Sequence, residues 1–357
     1  MKETNPLAPD LELILESTRP LWDELRGQRL FITGGTGFFG CWLLESFVWA
    51  NRQLDLGTSV TVLTRDPAGF RARLPHLALD SAVTLHAGDV RSFDYPAGTF
   101  SHVIHAATEA SAALNGSDPL TMLDTIVDGT RRVLGLSVER GVRKFLLTSS
   151  GAVYGKQPAG LSCIPETYAG VPDTMDPHAA YAEGKRLAEL LCAIYARKYG
   201  METKIARGFA FVGPYLPLDR HFAAGNFIRD RLCGGPIQVN GDGTTLRSYL
   251  YAADLAVWLW TILFKGESCR PYNVGSDSAV AISDLASVVA GPEPRTEVRI
   301  ASAPRPGVVP ERYVPDTARA RTELNLAPSV PLADAILRTT AWAVESPGRT
   351  CAGGVPK

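Results

Sequence analysis

The chain has 357 residues, 45% hydrophobic and 20% charged, with 36 Lys+Arg against 37 Asp+Glu and a formal net charge of −1. That length suggests about two domains and suffices for a large buried core. The balanced charge excludes the broad basic field of a nucleic-acid or anionic-membrane binder, so any anion site must come from local placement. Six cysteines (Cys41, Cys163, Cys192, Cys233, Cys269, Cys351) form no CxxC pair, which argues against a zinc site or a disulfide framework and for a reducing cytoplasm. The opening MKETNPLAPDLELILE has no basic-then-apolar signal pattern. The most apolar run, LAVWLWTILF (255–264), is too short for a bilayer core of roughly 30 Å and reads as a buried helix.

In chain order, residues 1–28 carry apolar side chains at helical spacing and read as a helical extension. RLFIT (29–33) reads as a strand, followed by a helix to about Asn51 and the strand SVTVLT (59–64). Then come the strands AVTLHA (82–87) and HVIHAA (102–107), a helix near 119–140, and the strand KFLLTSS (144–150). A helix near 177–199 leads to TKIARGFAFVG (203–213), read as one strand. Short strands separated by helices predict βαβ units. The expected fold is α/β, a Rossmann-type doubly wound parallel sheet over residues 29–210. After about residue 210, Pro and Gly become frequent, and helices near 221–234, 253–264 and 331–344 alternate with short extended pieces. Residues 211–357 therefore read as a smaller mixed region that supplies a substrate pocket.

The strand ending at Thr33 runs into GGTGFFG, which sets Gly34, Gly37 and Gly40 in a GxxGxxG pattern at a strand-to-helix junction. A dinucleotide site needs glycine there for a tight turn, for close approach of a pyrophosphate and for helix packing, with the helix N-terminus favouring the negative charge. A glycine-rich surface loop explains the turn but not its position at the first strand of a βαβ series. At the end of the second strand an NAD site usually presents Asp or Glu to the ribose. This chain has Thr64 and then Arg65, whose planar fork suits a 2′-phosphate and favours NADP(H). In the competing reading Arg65 is a solvated charge, Asp66 takes the ribose, and the cofactor is NAD(H).

HAAYAEGKRLAELL places Tyr181 and Lys185 four residues apart, on one face near a helix start. A tyrosine at its ordinary pKa of about 10 is a poor proton shuttle at neutral pH, and a nearby ammonium would lower it. The pair suits acid/base work on a hydroxyl or carbonyl. Together these motifs resemble the extended short-chain dehydrogenase/reductase family, in particular its nucleotide-sugar epimerases, dehydratases and 4-ketoreductases. The resemblance runs from about Arg29 to Leu326. TGGTGFFG resembles the family's cofactor loop, with Phe38 and Phe39 beside the glycines. GDV (88–90) resembles its adenine contact, bringing in Asp89 and Val90, and HAAT (105–108) its fourth-strand motif, bringing in Ala106, Ala107 and Thr108. TSSGAVYG (148–155) resembles the segment whose catalytic Ser/Thr aligns with Ser150, and Tyr181 and Lys185 match YxxxK.

The resemblance implies that Tyr181 exchanges a proton with a sugar hydroxyl, that Ser150 hydrogen-bonds the same oxygen, and that Lys185 binds the nicotinamide ribose while tuning Tyr181. It further implies a nucleotide-diphosphate pocket. GDGTTLRSYLYAADLA (241–256) would set Arg247 on a substrate phosphate, and APRPGVVPERYVPD would supply Arg305 as a second clamp. HFAAGNFIRD (221–230) resembles the helix lining the base, with Asn226 and Phe227 as contacts. There are departures: Ala210 stands where relatives often carry Asn, and Val308 where an Asp is usual. His178 and His221 flank the expected pocket without an assigned role, and Cys163 reads as a small packed thiol.

All candidate reactions share hydride transfer at a sugar carbon, C4 by the resemblance. Family dehydratases carry Asp-Glu directly after the catalytic Ser/Thr, whereas this chain has Gly151-Ala152, which argues against dehydration. Reduction of a 4-keto sugar nucleotide and 4-epimerisation with a bound NAD remain, and Thr64-Arg65 favours reduction. A non-catalytic dinucleotide-binding regulator and a reductase of non-nucleotide carbonyls stay open as other classes. The resemblance also implies a homodimer paired through the helix carrying Tyr181. No metal, nucleic-acid or membrane partner is expected.

Overall fold

The structure, a computed structural model, describes residues 5–108, 112–219, 222–292 and 295–345; His221 and Cys351 lie outside the described residues. The chain opens with α1 (Ala8–Thr18) and a 3-10 segment (Arg19–Leu25). It continues through β1 (Arg29–Thr33), α2 (Phe38–Gln53), β2 (Ser59–Thr64), α3 (Pro67–Arg73), α4 (Pro75–Ala78), β3 (Val83–Ala87) and β4 (His102–His105). Next come α5 (Ala112–Ser117), α6 (Pro119–Glu139), β5 (Lys144–Ser150), α7 (Ala180–Tyr199) and β6 (Glu202–Gly208). The remainder holds β7 (Phe211–Val212), α8 (Ala223–Leu232), β8 (Ile237–Val239), β9 (Leu246–Arg247), β10 (Leu250–Tyr251), α9 (Ala252–Lys265) and β11 (Pro271–Val274). It ends with β12 (Val280–Ala281), α10 (Ile282–Ala290), β13 (Val298–Ile300), β14 (Arg312–Tyr313), α11 (Ala318–Leu324) and α12 (Leu332–Glu345).

Seven strands form a parallel sheet in the order β11-β6-β5-β4-β1-β2-β3, the doubly wound arrangement expected from the alternation of strands and helices. The strands read as continuous apolar runs because both faces are covered. Leu30 and Ile32 face the core that holds α1, α2 and α9, while Phe31, Val103 and Phe145 face the core beneath α6 and α7. The chain reverses direction across the sheet between β1 and β4. Thr33 lies level with Leu63 and His105, so carboxyl ends align along one edge and leave a crevice at that switch point.

Two features depart from the sequence reading, the split of one strand and a disulfide, and a third, the packing of 1–28 on the main body, goes deeper than helical spacing alone tells. The segment read as one strand over 203–213 splits, because after Gly208 the backbone leaves the main sheet and Phe211–Val212 pairs with β10 instead. The N-terminal extension is part of the core: Trp22 is fully buried with its ring 4.7 Å from that of Trp260, and Asp10 accepts a 2.6 Å hydrogen bond from Tyr251. Cys163, Cys192 and Cys269 are free thiols, but Cys233 is disulfide-bonded. Spacing along the chain does not announce such a bridge, since it depends on the Cα separation that folding creates. No described helix is long and apolar enough to cross a membrane.

Candidate active site

The glycine loop is held by its own packing on two sides. Gly34 sits at φ +69°, and a Cβ there would lie 2.3 Å from the Ala106 carbonyl oxygen, so the loop presses against the end of β4. A Cβ on Gly40 would lie 2.3 Å from both Gly34 O and Gly35 Cα. Gly37 differs. It is the N-cap of the 16-residue α2 with no side-chain cap, and a Cβ there would meet only Gly34 O at 3.5 Å, an ordinary contact. The protein itself does not require Gly37 to be bare; its backbone lines a cavity, at the positive end of a helix dipole. Gly40, expected to touch cofactor, is absent from the cavity wall and serves the seating of α2 on the loop. Beneath the loop Thr33 Oγ1 accepts from Ala107 N at 3.1 Å and meets His105 Nδ1 at 2.7 Å, while His105 Nε2 reaches Thr130 Oγ1 at 3.1 Å. Burial pushes His105 down to about 3, so it is a neutral brace at physiological pH.

The cavity has a volume of about 1420 Å³. A site for one drug-sized ligand holds roughly 300–1,000 Å³, so there is room for two ligands in one cleft. One end is walled by Gly34, Phe38, Phe39, Thr64, Arg65, Asp89 and Val90, followed by Ala106, Ala107 and Thr108 along the strand ends. Asp66 is off the wall: its carboxylate accepts from Gly69 N at 2.8 Å and caps α3. Arg65 is exposed and in no direct ion pair among the described residues, its charge acting on Asp89 only at longer range, and Arg73 stands on the same wall. The Arg91 guanidinium, 2.8 Å from Asp89, holds that carboxyl below its ordinary range.

The middle of the cleft carries Ser150, Tyr181 and Lys185. Asn115 on α5 fixes the start of α7: its Oδ1 accepts from Tyr181 N at 3.0 Å and its Nδ2 donates to His178 O at 2.7 Å. Lys185 Nζ, one turn on, donates to Thr108 Oγ1 at 2.9 Å and to Thr148 O at 2.7 Å, and lies 5.9 Å from the Tyr181 ring centre. Burial lowers this ammonium to about 8. Tyr181 is pushed up by burial, with only the Ser150 hydroxyl pulling the other way. Lys185 uses its hydrogen bonds on Thr108 and the Thr148 carbonyl, so burial sets the direction at Tyr181 in this structure. Ser150 ends β5, and its Oγ accepts from Ala152 N at 3.2 Å. A second phenol, Tyr313 of β14, lies on the same wall, next to Ser150. Gly151 makes room for it, since a Cβ there would lie 2.6 Å from the Tyr313 hydroxyl.

Beyond this point the wall includes Ala210, Asn226, Phe227 and Arg247. Arg247 has no carboxylate partner among the described residues and lies over the Tyr313 ring at 5.8 Å. Arg305 departs from expectation: it sits in an exposed stretch (301–310), off the cavity wall, where prolines remove ladder donors. Val308 lies in the same stretch and is exposed. The guanidinium that reaches the wall is Arg312, whose strand lies parallel to that of Arg247. Sequence reading missed Tyr313, Arg312, Arg73 and Asn115; ERY (311–313) lies inside the stretch quoted for Arg305 and is the one local cue to two of them. His178 is exposed, bonded to Asp176 and off the wall. Cys163 is also off the wall, and burial pushes its thiol up. Behind Ser150, Ser149 donates to Glu189 at 2.5 Å, and Glu189 pairs with the half-buried Arg207 at 2.6 Å. No cluster of metal-ligating side chains exists among the described residues.

Comparison with known proteins agrees with this architecture. The sequence profile of the "NAD dependent epimerase/dehydratase family" matches residues 30–275. The UDP-glucuronic acid decarboxylase 1 of Arabidopsis thaliana is 31% identical over 316 residues, covering 87% of this chain and 68% of its own. The structure of a DesIV double mutant, a dTDP-glucose 4,6-dehydratase from Streptomyces venezuelae with NAD and DAU bound, superposes with a TM-score of 0.76 at 26% identity, covering 90% of this chain and 98% of that one. The UDP-glucuronic acid 4-epimerase of Bacillus cereus, in complex with UDP-glucuronic acid and NAD, shares the fold with a TM-score of 0.73 at 20% identity over 89% and 99% of the two chains.

Proposed function

Because the chain belongs to the NAD-dependent epimerase/dehydratase family, we propose that it transfers hydride at C4 of a nucleotide-diphosphate sugar, acting as a reductase of a 4-keto sugar nucleotide. The observation that carries the chemistry is the convergence of Ser150, Tyr181 and Lys185 on a cleft that opens directly onto the bare backbone of Gly37. That backbone at a helix N-terminus fits the pyrophosphate of a nicotinamide dinucleotide. When bound, the dinucleotide supplies the hydride. Tyr181 gives or takes the proton of the substrate oxygen, Ser150 hydrogen-bonds that oxygen, and Lys185 orients ribose hydroxyls. Phe38, Phe39, Asp89, Val90, Ala106, Ala107 and Thr108 line the cofactor end. Asn226 and Phe227 face the nucleotide base. Arg247, with Arg312 in place of Arg305, holds the diphosphate.

NADP(H) is the preferred cofactor in this reading. Asp66 is committed to capping α3, while Arg65 and Arg73 stand on the wall where a 2′-phosphate would lie. Gly151 and Ala152 leave no carboxylate after Ser150, which speaks against dehydration. A second reading is supported by the 31% identity to a decarboxylase and by relatives solved with NAD: a closed cycle at C4 with retained NAD, ending in epimerisation or in loss of a C5 carboxylate. The protein acts as a homodimer in the cytoplasm; Leu187, Leu190 and Ile194 expose an apolar stripe on α7 that a second copy would cover.

The test is to incubate the protein with UDP-glucose, UDP-glucuronic acid and dTDP-4-keto-6-deoxyglucose, each with NADPH, NADH or neither. Loss of nicotinamide absorbance with the keto sugar supports reduction. Isomer formation or carbon dioxide release without net cofactor loss supports the second reading. Bound dinucleotide with no turnover of any probe overturns both.

A further inference from the structure

An ammonium has three protons to donate and no lone pair, while a threonine hydroxyl has one proton and two lone pairs. In the middle of the cleft the fold commits most of these. Lys185 Nζ donates to the Thr148 carbonyl at 2.7 Å and to Thr108 Oγ1 at 2.9 Å, which uses two of its three protons. Thr108 Oγ1 in turn lies 2.8 Å from the Ala107 carbonyl oxygen, which can only accept, so the hydroxyl proton goes there. The ammonium, which can only donate, fills one of the two lone pairs. One N–H on Lys185 and one lone pair on Thr108 are left, on atoms 2.9 Å apart. Neither atom has a further hydrogen-bond partner among the described residues, and both residues line the cleft.

A donor and an acceptor side by side match two hydroxyls on neighbouring carbons, one accepting from Lys185 and the other donating to Thr108. In the reading above, on which this step rests, the nicotinamide ribose carries that diol. A lysine on its flexible stem is otherwise a point charge that can swing between both hydroxyls. Held by Thr148 and Thr108 it has one direction left. The hold is itself braced, because Ala107, whose carbonyl takes the Thr108 proton, donates its own N–H to Thr33 Oγ1 at 3.1 Å. We propose that Thr108 is a positioning residue for Lys185 and the acceptor half of a diol-reading pair. It aims the last N–H of the ammonium at one ribose hydroxyl and accepts the hydrogen bond of the other. The titratable groups facing Lys185 are Tyr181, Glu189 and Cys192 on its own helix and His105 on β4. Glu189 is paired with Arg207 of β6, and burial keeps the Cys192 thiol protonated and His105 neutral.

Two measurements test this without turnover. In cofactor-free protein carrying 13C at lysine Cε, the signal lost in Lys185→Met identifies Lys185, and its titration is followed by NMR. Thr108→Val removes an acceptor that only the charged ammonium uses, so the Lys185 midpoint should fall by about one pH unit, and Thr108→Ser should restore it. An unmoved midpoint overturns the proposal. Calorimetry then uses whichever of NADPH and NADH the parent binds more tightly. Thr108→Val should bind it about tenfold more weakly and Thr108→Ser should recover the parent affinity. The adenosine half alone, adenosine 2′,5′-bisphosphate or AMP, should bind Thr108→Val within about twofold of the parent. Equal weakening of cofactor and fragment, or weakening of neither, overturns the proposal, as does a parent that binds neither dinucleotide. If Thr108→Val does not fold, Thr108→Ala carries the same expectations. Undiminished turnover by Tyr181→Phe would sink the acid/base reading alone, because both measurements are made without substrate.

Discussion

Gly37 and Gly40 are three residues apart and answer to different demands. A methyl on Gly40 would lie 2.3 Å from backbone atoms of Gly34 and Gly35, which cannot move aside cheaply. Gly40→Ala should therefore lower thermal stability sharply, by about 3 kcal/mol. A methyl on Gly37 meets ordinary contact only, so Gly37→Ala should melt like the parent yet bind NADPH at least about tenfold more weakly, measured by calorimetry. Lys185 provides a pH-dependent counterpart. It releases its proton near pH 8 in the folded chain and near its ordinary 10.5 in the unfolded one. Between those values the unfolded state binds more protons, so this group's contribution to stability rises with pH across the window, and its full cost is present below pH 8. Lys185→Met should stabilise the cofactor-free protein at pH 7 by about 2 kcal/mol, after allowing for the Thr148 carbonyl that loses a partner. The gain should vanish near pH 9.5 and turn into a loss of about 1 kcal/mol by pH 10.5, where the penalty is gone and only the unpartnered carbonyl is left, and melts at pH 7 and pH 10.5 check the reversal. At this scale GxxGxxG and YxxxK were legible because their spacing is local. Tyr313 was not, since what marks it is a hole left by Gly151, far away in the chain.

Elements bring such distant residues together, and α7 shows how. Its first turn is tied to α5 through Asn115 and its middle to β6 through Glu189, which pairs with Arg207 and accepts from Ser149. Removing one partner of a mostly buried ion pair leaves a charge without compensation. Glu189→Ala should cost about 3–5 kcal/mol, read as a drop in the denaturant midpoint, whereas replacing both partners with apolar residues should restore much of it. Strands and long helices were readable because their apolar periodicity is strong, as in α9 and the four central strands. The split of 203–213 was not, because no proline or turn cluster marks the break after Gly208, and what separates the halves is their partners, β11 and β10. Arg305 and Arg312 illustrate the same limit: seven residues apart, they are equivalent as guanidiniums, and only the pairing of β14 with β9 decides which one reaches the cleft.

For the whole molecule, the α7 stripe of Leu187, Leu190 and Ile194 leads to a direct expectation. Leu190→Glu with Ile194→Glu should convert the proposed dimer to a monomer by light scattering while leaving NADPH affinity within about twofold, since neither residue lines the cleft. The doubly wound topology was legible from alternation alone; the depth to which the N-terminal helix enters the core was not, because helical spacing says which face is buried and not against what. That helix has a temporal consequence. Asp10 receives Tyr251 from the middle of the chain and Arg338 from α12 near its far end. A nascent polypeptide emerging from the ribosome thus holds a carboxylate whose partners are translated some 240 and 330 residues later. Until α12 has been made, the first helix lacks its final lock, and the Trp22 surface waits for Trp260. Synthesis of this protein therefore passes through a long interval in which α1 waits for partners made much later.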